Sequence, residues 1–370
     1  MKNSTKGELT YAEAGIDRSV RQRSQVGIQS MLSRSAKKYP FGKSIALPFG
    51  RLFSSGRASP SYYDFQVEGV GTKTLLAELA RKYDTIGIDA VAMAVNDVIR
   101  SGSTPLLVSD ALHIARSDPA IVNSILSGIG RGVEQSECSL ASGETGDVSE
   151  ILHVPLAEES TPFDLFASCL GIAKKEDVIK GIISRGDHII GIKSSGIHSN
   201  GLSLARRVLL KKWGGLYEPF ERPEKLDRTV IGELLVPTRI YLKSLKRLRR
   251  DGIRAKAAVH ITGDGLGKLQ RLLDFQRRSD LGVKLELKEK PAIFELIIDS
   301  AKRMEKPIPI EEMFKTFNMG IGFCVITSPQ DSADAIDSLN NDCEAEKIGF
   351  VSNVGRIAID SPFHPRSIFL

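Results

Sequence analysis

The chain has 370 residues, 41% of them hydrophobic and 26% charged, proportions that exclude collagen-like, coiled-coil and disordered classes. Its length points to two packed units. Fifty-one basic against 45 acidic residues leave +6, too thin a surplus for a nucleic-acid protein, which concentrates its cations on one face.

The first fifty-six residues are polar, basic and irregular, with Gly and Pro scattered from Pro40 to Gly56, and read as an extended arm and loop. From Tyr62 the text alternates like a strand as far as Val67 and runs into Glu68-Gly69-Val70-Gly71-Thr72-Lys73. A helix follows over 74–81. A second, capped by Asp84 or Thr85, runs to about Ser101 and is apolar all round from Ala90 to Val95, as a helix packed on every side should be. Gly102 and Pro105 stop it. Strands are expected over 106–112, 139–142 and 163–173 and a helix over 119–134, with Gly143 to Asp147 as a tight turn. The charged connector Lys174 to Asp177 divides the chain into 57–173 and 174–370.

The second half begins with a strand over 189–192 that enters Ser194-Ser195-Gly196-Ile197-His198-Ser199-Asn200-Gly201 and then a helix. Lys243 to Arg250 keeps Leu245 and Leu248 at helical spacing, so its cations form the solvated side of an amphipathic helix. A strand near Ala257 to Ile261 leads to Thr262-Gly263-Asp264-Gly265, and two more strands follow. Interleaved helices and strands in both halves predict two α/β or α+β units. Cys138, Cys169, Cys324 and Cys343 show neither zinc nor disulfide spacing, and no apolar run nears the roughly 18 residues of a membrane span. A reduced cytoplasm, without membrane or nucleic-acid partners, fits these features.

The residues that carry chemistry cluster at the ends of strands. In Glu68 to Lys73, glycines let backbone N–H groups approach an anion, and Lys73 adds a point charge for phosphate; the Walker A spacing is absent. Asn96 and Asp97 fall inside the apolar helix, where a carboxylate is costly unless paired or metal-bound. Asp89, eight positions earlier, shares their face. Asp89, Asp97 and Glu68 together could hold Mg²⁺, which favours hard oxygen ligands and a polyphosphate; otherwise Asp97 faces solvent or caps a neighbour. Glu144 and Thr145 add a carboxylate and a hydroxyl. The 194–201 turn is dense in hydroxyl, amide and backbone donors, as anion sites are, and His198 could donate to a phosphate or transfer a proton. His260, at a strand end, suits a catalytic or a structural role equally.

In order along the chain, Tyr11 to Asp17 (YAEAGID), Gly69 to Lys73 (GVGTK), Asp84 to Val98 (DTIGID…VNDV), Ser142 to Thr145 (SGET), Ser194 to Gly201 (SSGIHSNG), Leu234 to Ser244, His260 to Leu266 (HITGDGL) and Glu311 to Gly322 closely resemble the phosphoribosylformylglycinamidine cyclo-ligase, or aminoimidazole ribonucleotide synthetase (PurM), family. The resemblance implies a two-domain PurM-like fold whose N-terminal mixed sheets pair in a homodimer, with ATP near that interface. It also implies ATP-dependent cyclisation of formylglycinamidine ribonucleotide. Carried onto this chain, it gives Glu68 and Asp97 to the metal, and Thr72, Lys73, Asp89, Asn96, Glu144 and Thr145 to ATP. Ser195, His198, Ser199, Asn200 and Gly201 go to the ribonucleotide, with Lys73, His198 and His260 in catalysis. Glu68 stands where members carry Asp, Ser142 and Asp264 where glycine is common, and the N-terminal glycine-rich loop is reduced to Phe41-Gly42 and Phe49-Gly50. A related phosphotransfer to another small acceptor, or a non-catalytic nucleotide-binding role, would keep the same fold.

Overall fold

In the computed structural model, residues 7–38, 44–54, 60–152 and 160–370 are described; Phe41-Gly42 lies outside them. The stretch read as an extended arm is instead a helix, α1 (Arg18–Lys38), and a hairpin of β1 (Ser44–Leu47) and β2 (Gly50–Ser54). The Asp17 carboxylate accepts from the Ser19 and Val20 amides and so starts α1. Its apolar residues form no stripe, so helical periodicity was invisible, while Arg, Gln, Ser, Leu and Ala over 18–38 and the lack of proline still permit a helix.

Next come β3 (Ser61–Gly69), α2 (Thr74–Ala80), α3 (Ile86–Ile99), β4 (Thr104–Ile114), α4 (Pro119–Gln135), β5 (Ser139–Asp147) and β6 (Phe163–Lys174). Among the described residues the first sheet has the order β1-β2-β3-β6-β4-β5. It is mixed: β4 and β5 run parallel, joined through α4, and the other pairs are antiparallel. The expected tight turn over 143–147 is part of β5, which pairs with β4 as far as Asp147 opposite Ile114. As a polar, exposed edge strand, β5 carries no alternation to betray its length.

Every residue of α3 is buried. The helix lies on β3, β6 and β4, with α4 beside it. Glycines set that spacing: a Cβ on Gly87 would sit 2.3 Å from the Ile129 nitrogen, and one on Gly132 2.8 Å from Cβ of Val91.

The second half comprises β7 (His188–Lys193), α5 (Leu202–Leu209), α6 (Val230–Leu234), α7 (Leu242–Arg250), β8 (Ala257–His260), α8 (Gln270–Gln276), β9 (Gly282–Glu286), α9 (Ala292–Arg303), α10 (Ile310–Thr316), β10 (Ile321–Thr327), α11 (Ser332–Asn340), β11 (Ala345–Ser352), β12 (Ile357–Ser361) and β13 (His364–Phe369). Its sheet has the order β13-β12-β9-β11-β7-β10-β8, with β10 buried along its whole length. The basic run forms α7, which buries Leu242 and Leu248. A strap before α7, residues 236–241, lies along α3 and ties the halves together: the Asn96 amide donates to the Arg239 carbonyl (2.8 Å) and accepts from the Tyr241 N–H (3.0 Å). At the N-terminus, Tyr11 N–H and Arg18 both donate to Glu312 of α10. Among the described residues no helix is long and apolar enough to cross a membrane.

Gly87→Ala tests the close approach of α3 and α4. Overpacking commonly costs about 1–3 kcal/mol, which should outweigh the roughly 1 kcal/mol helix preference of alanine. The urea midpoint should therefore fall with the m-value unchanged; an unchanged or raised midpoint would show that the helices part freely.

Candidate active site at the domain junction

Glu68 lies one residue from the end of β3, on the face that α3 covers, and Asp97 lies within hydrogen-bonding reach of it. Two acids drawn from a strand end and a helix thus meet. Burial first, and the Asp97 charge second, push the Glu68 carboxyl up to about 7 against the pull of Lys268 and Arg100. Asp97 behaves oppositely. Burial opposes its ionisation, yet Arg100, Lys268 and His260 overcome that and hold its carboxyl well below the usual carboxylate range. Arg100 lies 2.7 Å from Asp97 Oδ2, and His260 Nδ1 lies 2.9 Å from Oδ1.

The His260 ring is fully enclosed, and burial lowers its pKa to about 4, so it is neutral. Its Nε2 faces the Asn96 amide donor at 3.4 Å, which leaves the proton on Nδ1, donated to Asp97. Burial likewise brings the Lys268 ammonium down to about 8. Phe49, in the turn of the β1–β2 hairpin, covers this cluster. Its ring centroid is 5.0 Å from the Arg100 guanidinium and 5.7 Å from Lys268 Nζ, and its carbonyl accepts from Arg100.

One loop further, Lys73 is enclosed. Its ammonium donates to Asp89 Oδ1 (2.9 Å) and to the Val236 carbonyl (2.7 Å), and burial lowers its pKa. The glycine-rich loop that delivers it has Gly71 at φ +61°, a left-handed conformation, and the Thr72 hydroxyl lies 3.1 Å from that of Ser203.

The 194–201 turn is held by its own side chains. The Ser195 hydroxyl donates to the Pro237 carbonyl (2.7 Å), and the Ser195 amide donates to His198 Nε2 (3.2 Å). His198 is buried at φ +62°; burial takes its pKa well below the ordinary value, and Nδ1 is without a partner. Asn200 Nδ2 is also buried and unpartnered. Gly201 sits where a Cβ would lie 2.3 Å from the Phe317 ring. Ser194, Ser195 and Gly196 open onto a polar cleft of about 680 Å³ that Arg228 and Arg239 also line.

The fold therefore brings Glu68, Asn96, Asp97 and His260 into one cluster and Lys73, Asp89 and Ser199 into a second beside it. Glu144 and Thr145 join neither. Directly opposed residues share a sheet face. Glu68, Ala167, Asp110 and Gly143 form one such row, and Gly69, Phe166, Ala111 and Glu144 the next, on the other face. Glu144 is thus exposed on the face away from Glu68, and Thr145 is exposed on the edge strand. Sequence reasoning missed Arg100, Lys268, Phe49 and Thr238. Of these only Arg100, three residues after Asp97 on the same helix, left a local signal.

The raised Glu68 pKa has a stability consequence. Because folding lifts it from 4.5 to about 7, its contribution is complete below about 4.5 and is lost as pH rises through 7. Urea midpoints of the wild type should drop relative to Glu68→Gln between pH 5 and pH 8; a constant difference would mean that Glu68 ionises as in the unfolded chain.

Comparison with known proteins identifies the family and the fold. The signature of the N-terminal domain of AIR synthase related protein matches residues 59–173, and that of its C-terminal domain residues 184–361. The phosphoribosylformylglycinamidine cyclo-ligase of Pyrococcus furiosus is 34% identical over 357 residues, covering 95% of this chain and 98% of that protein. The Thermococcus kodakarensis protein of the same name is 35% identical over 356 residues, with coverages of 95% and 98%. That of Bacillus pumilus is 39% identical over 286 residues, 75% of this chain and 76% of its own length. Among solved structures, thiamine monophosphate kinase from Aquifex aeolicus shares the fold at TM-score 0.55 and 17% identity, covering 92% of this chain and 99% of that one. T. maritima PurL complexed with ATP does so at TM-score 0.53 and 14% identity, covering 84% and 43%. With two carboxylates meeting at the junction of two such domains, and with full-length relatives 34% and 35% identical, the chain belongs to the phosphoribosylformylglycinamidine cyclo-ligase family.

Proposed function

We propose that the protein closes the imidazole ring of 5-aminoimidazole ribonucleotide in de novo purine biosynthesis. ATP phosphorylates the amide oxygen of formylglycinamidine ribonucleotide, which makes that carbon electrophilic. The substrate's amidine nitrogen then attacks the carbon, and phosphate leaves beside the ADP already formed. The observation that carries this reading is the convergence of Glu68 and Asp97 next to the GVGTK loop, in a chain that matches cyclo-ligases along 95% of its length. Phosphoryl transfer of this kind needs charge neutralisation and positioning more than covalent help.

The acid pair suits Mg²⁺. Both groups are hard oxygen donors, and each Asp97 oxygen keeps a second acceptor site after Arg100 and His260 have bonded. The raised proton affinity of Glu68 marks a carboxylate whose charge a cation would compensate. Among the described residues no cluster of three His, Cys, Asp or Glu side chains is arranged for a metal. Mg²⁺ itself takes one or two carboxylates and completes its shell with water and phosphate oxygens. Glu68 and Asp97 would hold it, and when bound it supplies charge neutralisation at the triphosphate.

The chain's own groups do the rest. Arg100 and Lys268 add positive charge beside the acids, and Thr72 belongs to the loop facing the phosphates. Ser195, Ser199, Asn200 and Gly201 shape the ribonucleotide site. His198, neutral and with its proton on Nδ1, offers a hydrogen bond and not a transferable proton. His260 acts through Asp97. The outer face of the first sheet exposes Phe65, Val67, Leu107 and Phe166, an apolar surface that a second copy would cover in a homodimer. Glu144, on that same face, would lie in that interface. Four free thiols suit a cytoplasmic location.

The test is direct. With ATP, Mg²⁺ and formylglycinamidine ribonucleotide, the protein should yield ADP, phosphate and aminoimidazole ribonucleotide in equal amounts, with no ADP when the ribonucleotide is omitted. Asp97→Asn should lower kcat on the order of 10²–10³-fold. ATP turnover without the aminoimidazole product, or with another acceptor only, would refute the reading.

A further inference from the structure

We infer that Asp89 is a positioning residue that fixes the glycine-rich loop after β3 and the serine-rich turn after β7 at one mutual distance; the inference rests on the reaction proposed above. A single oxygen, Asp89 Oδ1, accepts from Lys73 Nζ (2.9 Å), Ser199 Oγ (3.1 Å), the Thr238 amide (2.8 Å) and the Thr238 hydroxyl (2.6 Å). These donors come from three segments far apart in the chain: the GVGTK loop, the SSGIHSNG turn and the strap along α3. Lys73 closes the loop by donating to the Val236 carbonyl, and Ser195 joins turn to strap through the Pro237 carbonyl.

Burial gives the arrangement its force. The Asp89 and Lys73 side chains are both fully enclosed, and Asp89 sits on a helix buried along its whole length. A charge in that position requires its partners, and Oδ2 is buried without any, so the whole compensation falls on the Oδ1 donors. Loop, turn and strap are therefore held to the one point on α3 that satisfies the carboxylate. A triphosphate has no access to that oxygen. What Asp89 governs is the relative placement of phosphoryl donor and acceptor amide, where about 1 Å of error can cost on the order of 10²-fold in rate.

Asp89→Asn keeps the shape and removes the charge. It should lower kcat roughly 10²-fold while KM for ATP and for the ribonucleotide each stay within about threefold of wild type, since binding groups on each side remain. Thr238→Val removes one donor at nearly constant volume and should lower kcat alone, Thr238→Ser should restore it, and adding Thr238→Val to Asp89→Asn should cost nothing further because both break one network. If Asp89→Asn does not fold, the contrast between Thr238→Val and Thr238→Ser decides. A raised KM for ATP at unchanged kcat, additive losses, or wild-type kcat in Thr238→Val would overturn the inference. Hydrogen exchange on the ligand-free protein separates this from failure of the proposed reaction: in Asp89→Asn, loop 69–73 and turn 194–201 should both exchange faster than in wild type. Acceleration of only one, or of neither, would refute the link even if the enzyme proved to act on another acceptor.

Discussion

A helix buried on every side carries three polar residues that cannot remain unpaired, and the junction of the two halves follows from this. Asp89, Asn96 and Asp97 lie within two turns or so of one another on α3. Asp89 takes its partners from the glycine-rich loop, the serine-rich turn and the strap; Asn96 takes two backbone groups of the strap; Asp97 takes Arg100 and His260. Because a buried charge costs several kcal/mol when unmatched, the second domain has one seat along α3 in which all three are satisfied. Domain docking and site assembly are the same event.

Within that seat the two acids are treated differently, and the difference is chemically useful. Asp97 faces Arg100, Lys268 and the proton of His260, and stays ionised. At Glu68, one residue from the end of its strand, burial and the charge of Asp97 outweigh the pull of the same cations. A neighbouring pair with one permanently charged member and one that titrates near neutrality responds to any arriving cation by shedding a proton. Phe49 lies over the cations on the hairpin side, which limits water and keeps these interactions strong.

Much of this was legible in the residues themselves. The apolar run from Ala90 to Val95 announced a helix without a wet face, and Asn96-Asp97 inside it announced a site, because burial and polarity conflict there. The 194–201 turn was legible from its density of hydroxyl, amide and backbone donors, while the positive φ of His198 within it emerged only in the fold. Less was readable where the signal is absent rather than ambiguous. α1 lacks an apolar stripe, and β5 is an almost wholly exposed strand, so neither periodicity could reveal the helix or carry the strand beyond Ser142. Glu144, which the resemblance assigns to ATP, stands on the sheet face opposite Glu68, because alternation along paired strands separates them.

The sequence by itself determined the family, the run of helices and strands from β3 to β7, and the acid on α3 that had to find a partner, since all of these depend on local pattern and spacing. Only the tertiary structure decided which partner. His260 and Lys268 reach Asp97 from more than 160 positions away, and Thr238 reaches Asp89 across 149. Such pairings are set by where two sheets and one buried helix come to rest, a property of packing that no spacing along the chain encodes.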